Sequence, residues 1–170
     1  MTSTSPVTKT LHASAVLTGS FLSGSMMTIS LLAIPVFFET TTHSSQLLHQ
    51  WLRMFHYGHR GHPALAAVTL SLYALSSWRR HIEHKSWKNL LLAGCVTVCM
   101  TPFTWLVMMP TNKRIFDLAT ASRDFNSNGS DNIGMEDAKR LVKKWGILHL
   151  LRSFFPLIAA GIGLDQLLRG

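Results

Sequence analysis

Acidic residues and cysteines are scarce in this chain, eight and two among 170 residues. Two cysteines build no disulfide framework, and Cys95 and Cys99, four residues apart inside an apolar stretch, are expected to pack as small apolar groups. The histidines of the His56-x-x-His59-x-x-His62 pattern have few carboxylates and no nearby cysteine to complete a metal site. They read as interfacial histidines, and no metal is expected. Glycine-rich dinucleotide fingerprints and haem-attachment motifs are absent too, so the sequence offers no cofactor site. Asp124, Asn126, Asn128 and Gly129 copy the opening of a calcium-binding loop, but its twelfth position falls on Met135 and the required glutamate arrives one residue late, at Glu136. That stretch reads as a turn-rich loop.

Charged residues make up only 14% of the chain against 47% hydrophobic ones, which is unlike a water-soluble domain of this length. Ala13 to Phe38 carries no charged side chain, and neither does Asn89 to Asn112. Each exceeds the roughly 20 residues a bilayer-spanning helix needs. Gly61 to Trp78 is shorter, has His62 as its one group titrating near neutrality, and stops at Arg79-Arg80. Trp145 to Leu164 is apolar apart from His149, Arg152 and Ser153. The pattern predicts a single all-α domain, an integral membrane four-helix bundle with spans at about 13–38, 61–78, 89–110 and 145–167. A secretory signal does not account for the first run, because signal cores are only about 7–15 residues long.

The formal charge of +8 is not accompanied by any recognisable nucleic-acid-binding motif. Basic residues beside membrane spans meet anionic lipid instead, so lipid is the expected partner and nucleic acid is not. Loops one and three hold nine lysines and arginines against six in the termini and loop two, which leans towards cytosolic loops one and three. In a eukaryotic cell the expected membrane is the endoplasmic reticulum.

The first span gathers Gly19, Ser20, Ser23, Gly24, Ser25 and Thr28, small residues that let helices approach closely in lipid. Pro35 is expected to kink or finish it, and Pro110 to end the third span. In the first loop, Leu48, Trp51, Leu52 and Phe55 fall at helical spacing while His49, Arg53 and His56 fall on a neighbouring face. This predicts an amphipathic interfacial helix, or alternatively a lid over a site, broken by Gly58, Gly61 and Pro63 before the second span. Glu136 to Arg140 begins a further helix running towards Trp145.

Arg152 is the most informative residue, because a charge inside a span costs roughly 2.5–3.5 kcal/mol on insertion scales. It either snorkels to headgroups or serves a site. Trp145, His149, Arg152 and Pro156 stand at i, i+4, i+7 and i+11 and share one helix face. Asn112 is either a cap or turn residue or part of the same site. The ends of spans one and three and the starts of spans two and four lie at one membrane face, which lets Glu39, the Tyr57 region, Asn112 and the Trp145 stripe meet.

The order of these elements resembles the anthrone oxygenase-like family of small four-helix membrane proteins from polyketide pathways. The resemblance is carried by the Gly/Ser-rich first span ending in Ile34-Pro35, by Gln50-Trp51 through Tyr57-Gly58-His59, by Pro110-Thr111-Asn112, and by Trp145-x-x-x-His149-x-x-Arg152. It implies oxidation of an anthrone, a flat aromatic polyketide with a ketone and phenols, to an anthraquinone by dioxygen, and the lack of a cofactor motif is consistent with a cofactor-free oxygenase. Under it His149 is the candidate base, Arg152 the anion stabiliser and Asn112 a hydrogen-bond partner of the substrate. Trp51, Tyr57 and Trp145, with His56, are the candidate substrate-binding residues. The rival readings are a non-catalytic scaffold or assembly subunit, in which Arg152 pairs with Glu39, and a small transporter.

Overall fold

The computed structural model describes residues 4–125 and 134–169, and all the regular structure among them is helical. Four helices follow in order: α1 (Pro6–Thr40), α2 (Ser44–Ile82), α3 (88–125) and α4 (Met135–Leu168). Each contains one expected span and extends beyond it. Three of them, α1, α3 and α4, are long and apolar enough to cross a membrane, as an all-α integral membrane protein requires. Their outward residues are large and apolar: Leu17, Phe21 and Leu32 on α1, Trp105 and Leu106 on α3, Ile147 and Ile158 on α4. Many polar residues are turned inward instead, among them Thr8, Ser23, Thr97 and Ser153. Apolar outside with polar inside is the pattern lipid selects.

The expected breaks are corrected. Gly58, Gly61 and Pro63 lie inside one continuous α2. In lipid a broken helix would expose backbone groups to a solvent that cannot hydrogen-bond them, so helices run through residues that would end them in water. Pro35 and Pro110 likewise do not end their helices. Directly ahead of each, the helix widens into a π-turn, Ile29–Ala33 in α1 and Thr104–Met108 in α3. The Ile34 N–H bonds the Ile29 carbonyl and the Met109 N–H bonds the Thr104 carbonyl, five residues back instead of four. Each π-turn shifts the hydrogen-bond register just before a residue with no N–H to donate. The first segment of α2 is amphipathic as expected, with Leu48 and Trp51 buried and His49, Arg53 and His56 exposed. Cys95 and Cys99 are exposed on α3 instead of packed, a second correction. The calcium-loop-like stretch from Asn126 to Asn132 lies outside the described residues.

The helices divide into two compact units, each taking one segment from all four. One unit holds the chain up to Ser25, His62–Pro102 and the chain from Ser153. Its helices are joined by polar bonds in an apolar setting: Ser23 Oγ donates to the Ser153 carbonyl (2.9 Å), His12 Nε2 to the Gly163 carbonyl (2.8 Å) and the Tyr73 hydroxyl to the Ala159 carbonyl (3.1 Å). Gly19 is buried, and a Cβ there would come within 3.5–3.8 Å of Thr69, Pro156 and Ala160, the close approach its residue type suggested. Ser20, Gly24 and Thr28 are exposed. The second unit, Met26–Gly61 with Phe103–Arg152, contains the candidate site.

Candidate functional site

The second unit is organised around Trp51 of α2 and Trp145 of α4. Both are buried, and their rings meet edge to face with centroids 5.5 Å apart. Phe55, one turn after Trp51, stacks on it at 5.1 Å, and Phe116 of α3 meets both rings edge-on at 5.3 and 5.1 Å. On the other side Trp145 stacks on His149, one turn along α4, with centroids 4.6 Å apart and planes 25° from parallel. The helical i, i+4 spacing that suggested this stripe therefore produces direct ring contact. Aliphatic residues close around it, with Ile34, Leu47, Leu48, Met108, Ile115 and Val142 all buried.

Hydroxyls from the two π-turns bond the polar residues of the α4 stripe. Ser30, in the α1 π-turn, places its Oγ 3.2 Å from His149 Nδ1. Thr104, the first residue of the α3 π-turn, accepts a hydrogen bond from Arg152 Nη1 at 2.9 Å. Four polar atoms of the unit are buried without a hydrogen-bond partner among the described residues: the indole nitrogens of Trp51 and Trp145, Nε of Arg152 and Oδ1 of Asn112. An unsatisfied buried polar group costs about 1–3 kcal/mol, so each of these four atoms is a candidate contact for a polar ligand. Arg152 also has no carboxylate partner among the described residues, and Glu39, its partner in the scaffold reading, is exposed. A cation in a membrane-length helix with no resident anion suits an anion that arrives with the ligand.

The structure thus brings Trp51, Trp145, His149 and Arg152 into one unit and buries Asn112 on the same face of α3 as Met108 and Ile115. Asn112 lies within α3, which removes the cap reading. Tyr57 and His56 are not brought in: Tyr57 is 73% exposed, and His56 is exposed with its ring against Tyr57 and His59. The described residues contain no group of three potential metal ligands, His56, His59 and His62 included.

The anthrone oxygenase family profile matches residues 51–162, which include Trp51, Thr104, Asn112, Trp145, His149 and Arg152. An anthrone oxygenase of Paecilomyces divaricatus is 48% identical over 157 residues, spanning 92% of this chain and 94% of that protein. The chain belongs to the anthrone oxygenase family. An anthrone oxygenase of Emericella nidulans is 37% identical over 182 residues, covering 91% of this chain and 95% of its own length. A noranthrone monooxygenase of Aspergillus flavus is 41% identical over 150 residues, 88% of this chain and 70% of that protein. No solved structure matches.

Sequence reasoning missed Ser30, Thr104 and Phe116 as members of the cluster that the structure forms in this anthrone oxygenase family member. The first two had a faint signal: each is a hydroxyl residue shortly before a proline, Ser30 five residues ahead of Pro35 and Thr104 six ahead of Pro110. Tyr57→Ala and His56→Ala are expected to leave kcat/KM within about twofold of wild type, the scale of surface substitutions. Steady-state kinetics on anthrone check this, with Trp51→Ala as the contrasting loss.

Proposed function

We propose that this chain oxidises the central methylene of an anthrone to the carbonyl of an anthraquinone, using dioxygen and no resident redox group. The observation that carries this is Arg152, anchored by Thr104, lacking a carboxylate partner and holding an unpaired Nε in the unit that contains His149. The anthrone methylene is acidic because its conjugate base is spread over three rings and the ketone oxygen. His149 takes the proton, as imidazole is the side chain type most often used as a general base. Arg152 stabilises the resulting oxyanion. The carbanion carbon then transfers electrons to dioxygen and forms a C–O bond, giving a hydroperoxide on that carbon. Loss of water leaves the carbonyl. One methylene and one dioxygen become one carbonyl and one water, so the substrate supplies all the electrons and atoms balance without an external reductant.

The remaining unpaired groups suit the same substrate. Asn112 Oδ1 accepts a phenol O–H, the two indole N–H groups donate to ketone or phenolate oxygens, and the Trp51–Trp145 column offers faces and edges to a flat ring system. Oxygen uptake by the purified protein on addition of an anthrone tests the proposal. Uptake is expected to exceed the spontaneous rate and to survive exhaustive chelation in protein free of flavin and haem absorption. Bound metal whose removal abolishes turnover would contradict the cofactor-free reading, and uptake no faster than without protein would contradict the activity.

The proposal includes four crossings, with α2 as the fourth. Val68, Leu75 and Trp78 of α2 are exposed in the manner of the other spans, while Thr69, Ser76 and Ser77 are buried. Single cysteines introduced at Thr4, Thr42 and Ser86, in a chain with Cys95 and Cys99 replaced by alanine, report the topology. Thr4 and Ser86 are expected to label from one side of sealed vesicles and Thr42 from the other. Labelling of Thr42 and Ser86 from the same side would remove the α2 crossing.

A further inference from the structure

Ser30 carries a chemical role that neither the motifs nor the family profile assigns, since the profile begins at residue 51. We infer that Ser30 is a positioning residue that holds His149 in the tautomer with hydrogen on Nδ1, so that the basic lone pair sits on Nε2. The inference rests on geometry for the Ser30 contact with Nδ1, and on the proposed function for the choice between the two tautomers that this contact allows. Ser30 Oγ lies 3.2 Å from Nδ1, and the Trp145 ring stacked on His149 fixes the plane in which the imidazole lies. Two arrangements satisfy that contact. In one the serine hydroxyl donates to Nδ1, which leaves the hydrogen on Nε2 and no basic nitrogen to take a substrate proton.

In the other Nδ1–H donates to Oγ, and Nε2 is the base. This second arrangement persists through the reaction. When Nε2 gains the substrate proton the imidazolium carries hydrogens on both nitrogens, and the Nδ1–H···Oγ bond remains, strengthened by the charge. The first arrangement would require the serine hydroxyl to turn away at every cycle.

Local structure explains how a serine in an apolar helix comes to be there. The π-turn Ile29–Ala33 widens α1 just where Pro35 removes an N–H, and Ser30 lies within it. One turn later α1 and α4 are in close contact, since a Cβ on Gly146 would come within 2.6 Å of Ile34 Cδ1. Gly146 precedes His149 by about one turn as Ser30 precedes Ile34, so the two contacts lie about one turn apart on the same pair of helices. A larger residue at Gly146 would push apart the segments that carry the pair.

The test is nitrogen-15 NMR of histidine-labelled protein in detergent, with the His149 signal assigned by its loss in His149→Gln, beside anthrone kinetics of Ser30→Ala and Ser30→Thr. The wild type is expected to show neutral His149 with hydrogen on Nδ1. Ser30→Ala is expected to shift it towards the Nε2–H form and to lower kcat about tenfold with KM nearly unchanged, the scale of one charge-assisted hydrogen bond. Ser30→Thr, which keeps the hydroxyl, is expected to restore both. A wild-type His149 found with hydrogen on Nε2, or a Ser30→Ala protein with unchanged tautomer and kcat, overturns the inference. A purely structural serine would lower thermal stability without moving the tautomer, which overturns it as well. Should the wild type fail to oxidise any anthrone, the proposed function fails alone, because the NMR result still decides the tautomer.

Discussion

Arg152→Lys is expected to lose about a hundredfold to a thousandfold in kcat while the protein stays folded and monodisperse, the range seen when a donor to a developing oxyanion is removed. Lysine keeps the charge and most of the length, so it separates two explanations of why a cation stands in a membrane-length helix. An arginine that only snorkels, or only balances a structural charge, is replaced by lysine at little loss. Here the guanidinium is held at one nitrogen by Thr104 Oγ1 while Nε is buried and unpaired. That geometry uses two different nitrogens in one rigid plane, which an ammonium on a flexible stem does not reproduce. Thr104→Ala should give a smaller loss in the same direction, and Thr104→Ser little loss. Turnover per unit of folded protein, with the thermal midpoint measured alongside, decides between the readings. An Arg152→Lys variant of wild-type activity would favour the scaffold reading.

His149→Gln is expected to lower kcat about a hundredfold to ten-thousandfold, the usual contribution of a positioned general base. Glutamine preserves much of the volume between Trp145 and Ser30, so the aromatic column should survive and stability change little. The substitution also gives a kinetic signature. If proton removal is what His149 accelerates, turnover in the variant should rise with pH as solvent hydroxide substitutes for the base, and a substrate deuterated at the methylene should react more slowly. Retention of full activity by folded His149→Gln would move the base elsewhere, or leave deprotonation to the substrate's own acidity, with the site acting through Arg152 alone.

The architecture was largely legible in the sequence because its signals are additive. Uncharged runs such as Ala13 to Phe38 need no knowledge of partners to be read as membrane-length helices. The Trp145, His149, Arg152 stripe was legible for a similar reason, since helix periodicity alone places these residues on one face. What misled was the behaviour of proline and glycine. Rules formed in water predict that Pro35, Pro63 and Pro110 end or break helices, whereas all three lie within continuous helical stretches, two of them just after a π-turn. Ser30 and Thr104 were therefore invisible as site residues, because a π-turn changes which face a residue presents and no composition signal marks that shift. Tyr57 was selected for its ring and its neighbours in sequence. The continuous α2 instead turns Trp51 inward and Tyr57 outward, as their six-residue spacing in one unbroken helix allows.

The most direct test of the central claim is to supply the purified protein with an anthrone under oxygen-18-labelled dioxygen and follow the label by mass spectrometry, with His149→Gln and Arg152→Lys proteins as controls. The account predicts anthraquinone carrying one labelled oxygen per molecule, one labelled water per turnover, and rates that collapse towards the uncatalysed reaction in both variants. Anthraquinone formed no faster than in buffer, or product whose new oxygen comes from water, would contradict it.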